Sequence, residues 1–148
     1  MQSADILIIG GGLTGLLTAW FLEKRHEGSI QLLEARERLG GRILTRRHDS
    51  EASIELGATW LGNNHTHLIS LLKELKIDIN EQEMGSHAFY EAMSMSPPQL
   101  FELPQNDQPS SRIEGGTDQI IQALSRRLSR TEIVTGSPVT AIRQVESG

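Results

Sequence analysis

The chain has 148 residues, a formal net charge of −5, 37% hydrophobic and 22% charged residues, and no cysteine. That length suits one modest core, and the acidic balance offers no basic surface to nucleic acid or an anionic membrane. Without thiols, disulfides, thiolate catalysis, cysteine-ligated metals and cysteinyl cofactor attachment within the chain are excluded. No apolar stretch approaches the ~20 residues that span a bilayer. The N-terminus enters a strand too early for a signal peptide, so the default location is cytoplasmic.

The first element is an apolar run, Asp5-Ile6-Leu7-Ile8-Ile9, with the pattern of a strand buried on both faces. It leads into Gly10-Gly11-Gly12-Leu13-Thr14-Gly15. Leu13, Leu16, Leu17, Trp20 and Phe21 then recur at helical spacing, with a helix stop expected at Gly28. A second strand, Ile30 to Glu34, follows, and its acid stands nineteen positions after Gly15 (34 − 15). Each part meets a requirement of dinucleotide binding. Gly10 permits a tight turn off the strand, Gly12 lets the backbone approach a pyrophosphate, and Gly15 lets the helix pack closely. Leu13 and Thr14 begin the helix, whose free N–H groups and positive end suit phosphates. Glu34 is placed to accept hydrogen bonds from the adenosine ribose. An acid there repels a ribose 2′-phosphate, which argues against NADP. NAD and FAD share the adenosine half, and Glu34 does not separate them.

Eight residues after the acid (42 − 34) comes Gly40-Gly41-Arg42. Two glycines let backbone run against a ligand, and the guanidinium beside them can pair with phosphate. Ala35 and Arg36 lie where they can flank the adenosine, although a surface role suits Arg36 almost as well. Arg38, Arg46 and Arg47 read as solvated or structural. A short strand is expected from Ile43, then a helix after Asn63-Asn64 with Leu68, Ile69, Leu71, Leu72 and Leu75 on its apolar face, capped by Asn64 or Thr66. Short strands are expected near Ile77-Ile79, Ala88-Tyr90 and Leu100-Leu103, punctuated by Pro97-Pro98, Pro104 and Pro109; Gln105 to Ser111 reads as a loop. Phe89, Tyr90 and Phe101 could line an apolar pocket but fit a small sheet core, which is the favoured reading.

From Gly115 the chain returns to the nucleotide domain. Thr117 is expected to cap a helix carrying Ile120, Ile121, Leu124 and Leu128 on one face, with Arg126, Arg127 and Arg130 near its negative end. Final strands around Ile133-Val134 and Val139 to Val145 should join or cover the sheet. The organisation expected is a βαβ unit with ligand-contact loops over 1–76, a reduced insert over 77–112 and a return over 113–148. The fold class is α/β, a three-layer FAD/NAD(P)-binding, Rossmann-like parallel sheet with a small inserted β region.

Other chemistries lack support. His65 and His67 stand two apart and would not face each other on a helix, so no metal site is expected. No serine occupies a G-x-S-x-G elbow, and the glycine turn lacks the Gly-Lys-Ser/Thr ending of a P-loop. No catalytic acid or base is identified; Glu55 is the one carboxylate of interest, more as a loop stabiliser than as a catalyst.

Four segments together resemble the flavin-containing amine oxidase family, which includes monoamine and polyamine oxidases. They are Leu33 to Arg42; Glu55-Leu56-Gly57-Ala58-Thr59-Trp60-Leu61-Gly62; Ile113-Glu114-Gly115-Gly116-Thr117; and Pro138-Val139-Thr140-Ala141-Ile142. The resemblance implies FAD as cofactor, with Gly57, Ala58, Thr59 and Trp60 passing the flavin ring and the Val139 backbone at the adenine. Trp60 either sits near the ring or packs. The implied reaction oxidises the C–H bond beside an amine nitrogen, passes electrons to the flavin and then to O2, and leaves an imine to hydrolyse. A small-molecule amine and O2 are the implied partners, with neither nucleic acid nor membrane. Members of the family are several hundred residues long and complete the FAD fold with a C-terminal segment. The chain therefore reads as an N-terminal fragment, open to dimerisation through an uncovered face. Two alternatives stay open: another FAD-superfamily oxidoreductase, such as a desaturase or an NAD(P)H-linked enzyme, or a truncated non-catalytic nucleotide-binding module.

Overall fold

A computed structural model describes residues 3–47, 53–83, 85–91, 97–104 and 109–144. Strand β1 (Ile6–Ile9), helix α1 (Leu13–Glu23) and strand β2 (Ile30–Leu33) form the first unit. Strands β3 (Thr45–Arg47) and β4 (Ser53–Glu55) pair antiparallel. Helix α2 (Thr66–Leu75) follows, then β5 (Ile79–Glu81), β6 (His87–Tyr90), β7 (Gln99–Glu102) and β8 (Ser111–Ile113). Helix α3 (Asp118–Arg127) and strand β9 (Thr131–Val134) complete the order.

The central sheet runs β1-β2-β9, parallel throughout, with Ile6 opposite Ile30 and Ile30 opposite Thr131. Parallel neighbours need a crossover, and α1 supplies it between β1 and β2. Helix α1 packs on β1 and β2 and against α3, which in turn meets α2. One core results, built from Ile8, Ile30 and Leu32 of the sheet, Leu16, Ala19 and Trp20 of α1, Leu72 and Leu75 of α2, and Ile120, Ile121 and Leu124 of α3.

That core lies on one face of the sheet. Side chains alternate along a strand, and Ile8 is buried while Leu7 and Ile9 are each 50% exposed. The sequence run suggested burial on both faces; on the second face Leu7 and Ile9 are instead half-buried. Beside the sheet, β5 pairs antiparallel with β8, and β6 with β7, Phe89 opposite Leu100. The β6–β7 aromatics are not core: Phe89, Tyr90 and Phe101 are 76%, 59% and 47% exposed, and Tyr90 meets Phe101 edge-on at 6.1 Å. A lone two-stranded ribbon has no second layer to bury them against.

Several local expectations shift. Helix α1 ends at Glu23, well before Gly28, because Arg25 and His26 N–H groups both turn back to the Leu22 carbonyl. Helix α2 starts after His65, whose Nδ1 accepts the Gly62 N–H, so neither Asn64 nor Thr66 caps it. Strand β5 begins two residues later than expected, and the segment expected as a strand from Val139 has no regular structure through Arg143, Val145 lying outside the described residues. Ser111 belongs to β8 rather than to a loop; its backbone exchanges hydrogen bonds with Leu61. Part of that expected loop, 105–108, lies outside the described residues. Among the described residues no helix is long and apolar enough to cross a membrane, and no group of His, Asp and Glu is arranged for a metal.

Candidate functional site

The main cleft opens at the C-terminal end of β1, where α1 begins. It has a volume of about 970 Å³ and is lined by Gly10, Gly12, Leu13, Thr14, Gly15, Gly40, Gly41, Arg42, Gly57 and Ala58, with Thr18, Ile43 and Leu56 among the remainder. Three sequence segments thus converge on one space.

Their convergence has a backbone cause. Gly10 adopts φ +104°, which lets the chain reverse off β1. A Cβ on Gly15 would overlap the Gly10 carbonyl oxygen, so the helix approaches the turn only as glycine allows. The Gly40 N–H donates to the Gly11 carbonyl at 2.8 Å, and Gly12 and Gly40 bridge in parallel. The Ala58 N–H donates to the Arg42 carbonyl at 3.1 Å, tying the third segment to the second. A Cβ at Gly10 would meet nothing within 4 Å, and one at Gly12 nothing closer than 3.9 Å. The turn therefore presents bare backbone to open space, a cradle that a ligand can fill. No side chain caps α1 and its first turn holds no acid, which leaves its positive end to an anion.

Glu34 is only 7% exposed at the end of β2. Its Oε2 accepts the Gly11 N–H at 2.7 Å and its Oε1 the Arg36 N–H at 2.9 Å. The Arg36 amide, working against burial and aided by the Gly11 amide and the Arg36 and Arg38 charges, lowers its pKa below the usual glutamate value. These donors favour its ionised form. Past β9, the Gly136 N–H donates to the Arg36 carbonyl and the Ser137 N–H to the Glu34 carbonyl, so 136–137 run beside 34–36. Val139 follows this segment and is partly exposed, off the main cleft.

The remaining expected contacts lie elsewhere. Thr59 lines a separate cavity of about 240 Å³ with Glu55, Glu81, Arg112 and Glu114. Trp60 stacks with the Arg112 guanidinium, 4.8 Å from its ring centre, and is not among the residues of the main cleft. Thr117 does not cap α3 with its side chain. Instead its N–H donates to Glu55 Oε1 at 2.8 Å, while the Asp118 N–H donates to Thr45 Oγ1, which itself donates to Glu55. Glu55 and Thr45 therefore cap α3 from a distant hairpin, and the two ion-paired nitrogens of Arg47 grip Asp118 alongside. Sequence reading missed Thr18, Thr45 and the Gly11 amide. Only Thr18, one helical turn after Thr14, left a periodic signal.

A parallel strand, glycine turn and helix around an open cleft define a fold of the Rossmann-like class. Residues 8–75 match the family model described as an NAD(P)-binding Rossmann-like domain. The N-terminal part of the chain is similar in sequence to flavin-containing amine oxidases, and it spans only about a sixth of their length. It is 36% identical to flavin-containing amine oxidase A of Bos taurus over 86 residues, 55% of this chain and 16% of that protein. Among solved structures it resembles wild-type putrescine oxidase bound to putrescine (TM-score 0.71, 17% identity, 90% of this chain and 51% of the other). It also resembles an Exiguobacterium chain described as a protoporphyrinogen oxidase (TM-score 0.77, 18% identity, 99% and 55%). The last two likenesses concern the fold.

Proposed function

We propose that this chain is the FAD-binding portion of a flavin-dependent amine oxidase. The observation that carries this reading is the apposition of Gly12 with Gly40 and Gly41, which joins two glycine turns into one backbone-lined cleft at a helix N-terminus. The turn at Gly10, Gly12 and the α1 amides at Leu13, Thr14 and Gly15 suit the pyrophosphate, and Arg42 faces the same space. Glu34 suits the ribose, with Ala35, Arg36 and Val139 flanking the adenosine. Gly57 and Ala58, tied to the Arg42 backbone at the cleft, suit the flavin, with Thr59 and Trp60 next in the chain.

When bound, the flavin supplies the electron acceptor for amine oxidation and passes electrons to O2. The protein's own groups bind and orient: amides meet phosphate, Glu34 holds the ribose and the carbonyl-tied 56–58 segment shapes one wall. Identity to an amine oxidase over the nucleotide-binding region supports the amine reading of the reaction. The fold likeness to a differently described oxidase keeps a second flavoprotein chemistry in view.

The test is the visible spectrum of the purified, desalted chain before and after adding FAD. A retained flavin spectrum is expected, and peroxide release on a panel of amines then tests the reaction. A folded chain that retains no flavin and shows no affinity for ADP would overturn the reading.

A further inference from the structure

Arg38 stands behind the second glycine turn. Its Nη1 donates to the carbonyls of Leu39 at 3.2 Å and Ile43 at 3.4 Å, and its Nη2 donates to the Gly41 carbonyl at 3.0 Å. One guanidinium thus gathers three carbonyls from five consecutive residues. The main cleft lies on one side of that turn, lined by Gly40, Gly41, Arg42 and Ile43. Arg38 lies on the other, in a separate cavity of about 320 Å³ beside Asp118, Ile121 and Gln122 of α3.

The consequence is electrostatic as well as geometric. Gly40 and Gly41 sit at φ +105° and +58°, and the Ile43 N–H closes the turn on the Gly40 carbonyl at 2.9 Å, which leaves the Leu39, Gly41 and Ile43 carbonyls for Arg38. Carbonyl oxygens turned into the cleft would repel phosphate. Held by Arg38 they face the opposite way, while the Gly40 N–H is fixed on Gly11. A planar fork with five donors can hold several acceptors at once, which a point-charge ammonium does less well. Arg38 also adds a positive charge directly behind the phosphate-facing backbone. Sequence alone made it a solvated or structural residue, because its partners are carbonyls and carry no side-chain signature.

We propose that Arg38 is a positioning residue for the pyrophosphate subsite: it keeps the Leu39, Gly41 and Ile43 carbonyls off the cleft and never touches the ligand. This rests on the dinucleotide reading above. It predicts a loss confined to phosphate-bearing ligands.

The experiment measures affinities of the full chain for FAD, ADP and adenosine, in wild type, Arg38→Gln and Arg38→Lys, with thermal melts alongside. Arg38→Gln is expected to weaken FAD and ADP about tenfold or more, the scale of losing charge-assisted hydrogen bonds, and to leave adenosine unchanged. Arg38→Lys should fall between it and wild type. Equal ADP affinity in wild type and a folded variant overturns the proposal, and so does an equal loss for ADP and adenosine, the mark of general damage. If Arg38→Gln does not fold, the ADP-to-adenosine ratio of Arg38→Lys decides in the same way. A wild-type chain that binds neither FAD nor ADP overturns the dinucleotide reading itself, and with it this one.

Discussion

Glu34 Oε2 accepts the Gly11 N–H at 2.7 Å, so the acid ending β2 holds the glycine turn that ends β1, 23 positions earlier. The residue proposed for the ribose is therefore also a strut of the glycine turn proposed for phosphate. Both roles follow from one parallel register, which sets Ile9 opposite Leu33 and brings the two strand ends together.

Replacing this acid should thus cost more than its ribose bonds. Glu34→Ala leaves the buried Gly11 amide without its acceptor, a loss of about 1–3 kcal/mol in stability. Glu34→Gln keeps an acceptor and should melt closer to wild type while binding FAD more weakly. Calorimetry of both variants with and without FAD separates the two effects. Equal melts for Ala and wild type would contradict the strut.

At Gly15 the constraint is steric. Gly15→Ala puts a methyl into the Gly10 carbonyl oxygen, and only movement of the turn relieves it. A destabilisation of about 1–3 kcal/mol is expected, as for other overpacked sites. FAD retention after desalting should vanish, and a variant that keeps both its melt and its flavin would contradict the close approach.

Glu55 joins two elements through Thr45 and the Thr117 amide. Glu55→Ala should destabilise the chain by about 1–3 kcal/mol, since the Thr117 N–H loses its acceptor at the start of α3. Hydrogen exchange of the Thr117 and Asp118 amides would report this locally. Unchanged protection there would mean that α3 does not depend on the hairpin.

Acid should weaken the fold through Glu23. Burial works against its ionisation, yet the Thr131 hydroxyl and the N–H groups of Arg130, Ser129 and Thr131 bring its pKa below the usual glutamate value. Because the folded-state value is the depressed one, this stabilisation is fully present above the unfolded value and is lost as pH falls through the folded one. Asp118, lowered chiefly by its hydrogen bond from Arg47, adds in the same direction. Urea midpoints should therefore be flat near neutrality and drop below about pH 4. Glu23→Gln should show a shallower drop than wild type; an identical slope would discount the clamp of α1 on β9.

The open sheet face offers a further check. Leu7→Thr and Ile9→Thr remove half-exposed apolar side chains from a strand without touching the core. Each should change stability by only about 0.5 kcal/mol, as surface substitutions do, while reducing self-association in light scattering. A loss of several kcal/mol would mean that this face is covered.

The βαβ unit was legible because its signals are local. Glycines stand where positive φ is needed, apolar residues recur at helical spacing, and the acid falls at the end of the next strand. The three segments of the cleft were likewise legible as motifs. Less legible was what lies between them. Helix α1 stops at backbone bonds from Arg25 and His26, not at Gly28. Phe89, Tyr90 and Phe101 look like core residues by type, yet their two-stranded ribbon leaves them largely exposed.

Sequence by itself determined the parallel βαβ unit and its glycine turns, and carries the dinucleotide proposal, because each needs particular residues at short, fixed spacings. Tertiary structure alone decided that Gly40 closes on Gly11, that Glu55 and Thr45 cap a helix more than 60 residues away, and that Arg38 gathers three carbonyls of one turn. Those contacts end on backbone N–H and C=O groups, which every residue carries, so no pattern of side chains announces them.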